Sequence, residues 1–138
     1  MRYLIDTNVI SEMSKPEPNK TVTRWISNIP ETDLFLSVVT IGEIVFGINK
    51  LKDKIRKAKL SSWLEKVTNT GFDDRILSID LKVMKIWGEM CARLPRNLPV
   101  QDTFIAATAI AHNMIVATRN IKDFNDIAEL TVYNPWND

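Results

Sequence analysis

The chain has 138 residues, a length for a single core that folds without disulfide or metal staples. Hydrophobic residues make up 45% and charged residues 25%, which excludes a disordered chain. Eighteen basic against seventeen acidic side chains leave a net charge of +1, so a general polyanion binder is excluded and any nucleic-acid contact has to be local.

The single cysteine, Cys91, rules out an internal disulfide and zinc sites built on cysteine pairs. Met1-Arg2-Tyr3-Leu4-Ile5-Asp6 meets an acid too early for a secretory signal, and no apolar stretch is long enough to span a membrane. The expectation is a soluble cytoplasmic protein with no membrane contact.

Tyr3-Leu4-Ile5, ending in Asp6, has the pattern of a short buried strand. Thr7 to Met13 begins a helix that Pro16 and Pro18 break. Val22, Trp25, Ile26 and Ile29 repeat at helical spacing up to Pro30, and Leu34 to Val38 reads as a second strand. Thr40 to Leu51 follows as a helix with Ile41, Ile44, Val45 and Ile48 on one stripe. Asp53 to Thr70 predicts another, with Leu60, Trp63, Leu64 and Val67 on one face and Gly71 as its stop.

Arg75 to Ile79 reads as a third strand, and Asp80 caps a helix carrying Val83, Met84, Trp87, Met90, Cys91 and Leu94. Asp102 opens a helix with no charge from Thr103 to Ala111, the mark of an element buried on most sides. Ile115 to Thr118 is a fourth strand, and Leu130 to Tyr133 a fifth at the sheet edge. Strands alternating with helices predict a single α/β domain over residues 1–138, three layers with a central, mostly parallel sheet of about five strands.

In such sheets the ligand crevice lies at the carboxyl ends of the strands. Asp6 ends the first strand, Glu43 sits early in the helix after the second, and Asp102 precedes the fourth. Thr118, Asn120 and Asp123 follow the fourth. Carboxylates that converge repel unless a cation sits among them, and an oxygen-only set suits magnesium, with manganese as a substitute. Each acid also has a second reading, as a helix cap or an ion-pair partner.

The run Leu4-Ile5-Asp6-Thr7-Asn8-Val9-Ile10-Ser11 resembles the opening block of the PIN-domain family. Thr40-Ile41-Gly42-Glu43-Ile44 and the stretch from Asp102 to Ala109 are similar to its second and third blocks. Ala117-Thr118-Arg119-Asn120 with Asp123-Phe124 is similar to the fourth. The short single domain resembles the VapC-type toxins, and Asn134-Pro135-Trp136 the FitB-like subgroup.

The resemblance implies a magnesium-dependent ribonuclease toxin with Asp6, Glu43 and Asp102 as catalytic metal ligands. Asn8 and Thr118 are carried over as hydrogen-bonding neighbours of the acids. The fourth position departs from the family, which often has Asp where this chain has Asn120, and Asp123 is the other candidate for it. Also implied are RNA as substrate, a cognate antitoxin of the VapB kind, a homodimer, and DNA contact only through the antitoxin.

Arg119, Lys122 and Arg96 are the candidate substrate contacts, while the run from Lys50 to Lys59 reads as a solvated face or a phosphate binder. His112 is the only histidine, so cleavage through a histidine pair is excluded. An aspartyl phosphotransferase is a rival reading of Asp6, but Asn8 stands where its second acid is needed. A catalytically weak binding module acting through an antitoxin–DNA complex is the other.

Overall fold

The computed structural model describes residues 1–138. In chain order the elements are β1 (Tyr3–Ile5), α1 (Thr7–Glu12), α2 (Lys20–Ser27), β2 (Leu34–Ser37), α3 (Val38–Asn49) and α4 (Lys54–Lys66). There follow β3 (Ile76–Leu77), α5 (Leu81–Ala92), α6 (Val100–His112), β4 (Ile115–Ala117) and β5 (Val132–Tyr133). Five strands form one sheet in the order β3-β2-β1-β4-β5, and every pair is parallel. The strand order reverses between β1 and β4, and a crevice opens at such a switch point. No helix is long and apolar enough to cross a membrane.

Alternation along the strands divides the core in two. Leu4 and Val116 face a cluster with Val83, Met90, Ile105 and Phe124, packed under α5 and α6. Ile5 and Ala117, their chain neighbours, face the other side with Val9, Val22, Trp25, Leu36 and Ile44. Helix α6, uncharged from Thr103 to Ala111, buries seven residues in that stretch, as its composition predicts. Asn113, in the left-handed region at φ 54°, ends it; asparagine tolerates that conformation better than most side chains. Trp25 stacks on Tyr133 and meets Tyr3 edge-on, which joins α2 to the central and edge strands.

Several expected boundaries move. The helix predicted to reach Thr70 ends at Lys66 and opens into a wide turn over Val67–Gly71. There the hydroxyls of Thr68 and Thr70 bond back to the carbonyls of Leu64 and Lys66, a competition that disfavours the regular helix. The third strand shrinks to Ile76–Leu77, and the Arg75 side chain instead bonds the Leu34 carbonyl at 2.7 Å. Met84 lies outside the buried face of α5, at 38% exposure. Asp102 does not open its helix: Pro99 occupies the cap, and Asp102 is the third helical residue. Its carboxylate is therefore not consumed in capping.

Candidate functional site

Asp6 follows β1 directly and caps α1, accepting the Thr7 N–H on Oδ1 at 2.8 Å. Its own N–H bonds the Ala117 carbonyl at 2.9 Å, which fixes it to the end of β4. Thr118, fully buried, donates its hydroxyl proton to Asp6 Oδ2 at 2.8 Å. The same hydroxyl oxygen accepts from the Asn120 N–H at 3.0 Å and from Asn8 Nδ2 at 3.2 Å. Asn8 also reaches Asp6 Oδ2 at 3.4 Å and accepts the Arg119 N–H on its own Oδ1 at 3.1 Å. Asn8 and Thr118 thus hold Asp6 rather than stand apart from it.

Thr7 has a second part that its sequence context does not show. Its hydroxyl donates to Glu43 Oε1 at 2.8 Å and lies 3.4 Å from the Thr40 hydroxyl. One residue therefore contacts two of the acids, Asp6 through its amide and Glu43 through its side chain. A hydroxyl directly after a strand-ending aspartate was the available signal.

Burial is the leading cause that raises the Asp6 carboxyl above its ordinary value, opposed by the Thr118 and Thr7 hydrogen bonds and reinforced by Asp123. Glu43 is raised first by burial, with Thr7 opposing and Asp6 adding. Asp102 is pushed up to about 7, by burial first and then by the charges of Asp6, Asp123 and Glu43. Four carboxylates from four segments thus share one field. No Lys or Arg pairs with any of them, the ion pairs being Lys15–Glu12, Arg75–Asp74, Arg93–Glu129 and Arg96–Asp126.

No three of these groups are drawn together closely enough to grip one ion as they stand. The uncompensated negative charge and the all-oxygen donor set fit a hard divalent cation.

Of the two candidates for the fourth acidic position, Asp123 acts on both Asp6 and Asp102, whereas Asn120 is exposed and touches the cluster through its backbone N–H. Arg96 is engaged elsewhere, by Asp126 at 2.6 Å and the Lys122 carbonyl at 2.8 Å. The Lys122 side chain is exposed and free of ion pairs, as is that of Arg119. His112 lies at the far end of α6 from Asp102, about 15 Å along the helix axis. A groove of about 610 Å³ runs from Thr7 and Glu43 between α1, α3 and α4 to Leu60 and Trp63, with Arg56 and Lys59 along it.

The PIN-domain family model matches residues 3–130. The chain is 36% identical over 138 residues to Toxin FitB of Neisseria gonorrhoeae, an alignment covering 98% of this chain and 99% of that protein. It is 35% identical over 136 residues to VapC ribonuclease Y4jK of Sinorhizobium fredii, covering 96% of each. The solved structure of FitAB bound to the IR36 DNA fragment superposes with a TM-score of 0.88 at 35% identity, over 97% of this chain and 95% of that one.

Proposed function

The chain belongs to the PIN-domain family, and from that premise we propose that it is the toxin of a toxin–antitoxin pair, an endoribonuclease that hydrolyses RNA with a divalent cation. The observation that carries the reading is that Asp6, at the carboxyl end of β1, is joined through Thr7 to Glu43 on α3 and through Thr118 to the end of β4, with Asp102 and Asp123 adding their charges there. Two long relatives in the same alignment range, one named a toxin and one a ribonuclease, support it.

Asp6, Glu43 and Asp102 would hold the cation, magnesium or manganese, with Asp123 in the fourth position. When bound, it supplies Lewis-acid activation of water and neutralises charge on the phosphate. The chain's own residues do the rest. Thr118, Asn8 and the Thr7 amide orient Asp6, and the Thr7 hydroxyl orients Glu43. Asp102 holds a proton near neutrality and has to release it to become a ligand.

The partner in this reading is a cognate antitoxin, for which the groove beside Glu43 is the proposed seat. DNA is reached only through that complex, and the toxin pairs as a homodimer. The solved complex of FitAB with a DNA fragment supports the DNA contact of such a complex.

The test is RNA cleavage by the wild type and by Asp6→Asn, each with magnesium and with chelator. Cleavage by the wild type in magnesium alone is expected. Cleavage that survives both the substitution and the chelator overturns the reading.

A further inference from the structure

Arg119 follows Thr118 at the carboxyl end of β4, on the same sheet edge as the acids. Its backbone is tied to Asp6 through Asn8, which accepts the Arg119 N–H and reaches both Thr118 and Asp6 with its amide group. The guanidinium carbon lies 4.9 Å from the centroid of the Trp136 ring. Trp136 is itself held, because Asn134 Oδ1 accepts its N–H at 2.9 Å and the turn Pro135–Asn137 packs against α2.

The other arginines near this edge are occupied. Arg93 pairs with Glu129, and Arg96 with Asp126. Arg119 is exposed and has no carboxylate within ion-pair distance. Glu12 feels its charge but is bonded to Lys15 at 2.9 Å and to the Asn19 N–H at 2.9 Å. A guanidinium lying against an indole keeps its in-plane N–H donors available while its position is fixed. Such a fork loses little freedom on gripping a phosphate. A chain of net charge +1, with an acidic edge that repels polyanions, needs a local cation at this place.

We propose that Arg119, seated on Trp136, grips an RNA phosphate beside the acid cluster, and that Trp136 is the positioning residue for it. The inference rests on the nuclease reading above and brings the C-terminal segment into the substrate site.

The test has two arms. In cleavage assays Arg119→Ala raises KM about tenfold with kcat little changed, the loss of one charge-assisted contact. Binding of a short fluorescent single-stranded RNA is then followed from about 50 to 200 mM salt in the Asp6→Asn background, where the dependence of log K on log salt loses about 0.7, one single-strand phosphate. Arg119→Lys restores the slope. Trp136→Ala weakens binding less than Arg119→Ala and adds nothing on top of it. Trp136→Phe, which keeps a ring face, stays near wild type. Lys85→Ala, an exposed charge on α5, leaves the slope unchanged.

An unchanged KM and slope in Arg119→Ala overturns the inference. So does an equal loss in Lys85→Ala, a Trp136→Ala effect that persists without Arg119, or absence of RNA binding. A wild type that binds RNA through Arg119 but cuts none counts against the nuclease reading alone.

Discussion

The hydroxyl of Thr118 donates to Asp6 Oδ2 at 2.8 Å across 112 positions of sequence, and both residues are buried. It offsets part of the burial that would otherwise hold a proton on Asp6. Thr118→Val keeps the shape and removes the donor. The expected result is divalent-ion affinity about 10–100-fold weaker and stability lower by about 1–3 kcal/mol at neutral pH. Calorimetric titration with magnesium and urea unfolding measure the two effects, and Thr118→Ser is expected to recover most of both. Wild-type magnesium affinity in the valine variant would show that the bond does not support the site.

Asp102 gives a pH dependence. Its carboxyl is raised from 3.8 to about 7, so the folded chain keeps a proton that the unfolded chain has lost. Stability from this group is full below the ordinary value, falls as pH rises toward about 7, and stays reduced above it. Asp102→Asn is therefore expected to raise Tm at about pH 8 and change it little at about pH 4. Magnesium is expected to raise the wild-type Tm more at the higher pH, where no proton competes for the carboxylate. Thermal scans at the two pH values decide it, and a destabilising Asp102→Asn at high pH would contradict the shared field.

Asp123 and Asn120 separate cleanly. Asp123→Asn removes a charge that raises both Asp6 and Asp102, so those carboxyls are expected to titrate lower and magnesium to bind more weakly. Asn120→Ala leaves the backbone N–H on Thr118 and is expected to be nearly silent. Carboxyl titration by NMR, with magnesium binding in parallel, compares the two variants. The reverse ranking would place the fourth ligand at Asn120.

Trp25 tests how the edge of the sheet is held. It is 5% exposed and contacts Tyr3 and Tyr133. Trp25→Ala is expected to cost about 3–5 kcal/mol, read by denaturant unfolding. Trp25→Phe is expected to cost less.

The layers of the fold were readable because burial leaves compositional marks. The uncharged stretch from Thr103 to Ala111 could only be a helix covered on most sides, and Tyr3 to Ile5 only a short buried strand. Asp6 was legible as an acid where a strand stops. Asp102 was legible as an acid but misplaced by two residues in its helix, because proline at the cap carries no side-chain signal of its own. The turn after Lys66 was hidden because Thr68 and Thr70 bond to carbonyls four residues back, a local competition with the helix that residue type alone does not announce. The choice between Asn120 and Asp123 was not readable, since the connection from β4 to β5 has no periodicity to say which side chain turns inward. The pairing of Arg96 with Asp126 and the seat of Arg119 on Trp136 are contacts between distant segments, and neither spacing nor residue type announces them.

β1 is the middle strand of the sheet and also the first to be synthesised, whereas its neighbour β4 begins at Ile115. On the ribosome, Asp6 emerges long before Asp102, Thr118 and Asp123 exist. A nascent or truncated chain that stops short of Asp102 therefore carries Asp6, and from residue 43 on Glu43, without their later companions, and the cluster can assemble only once Asp123 has emerged.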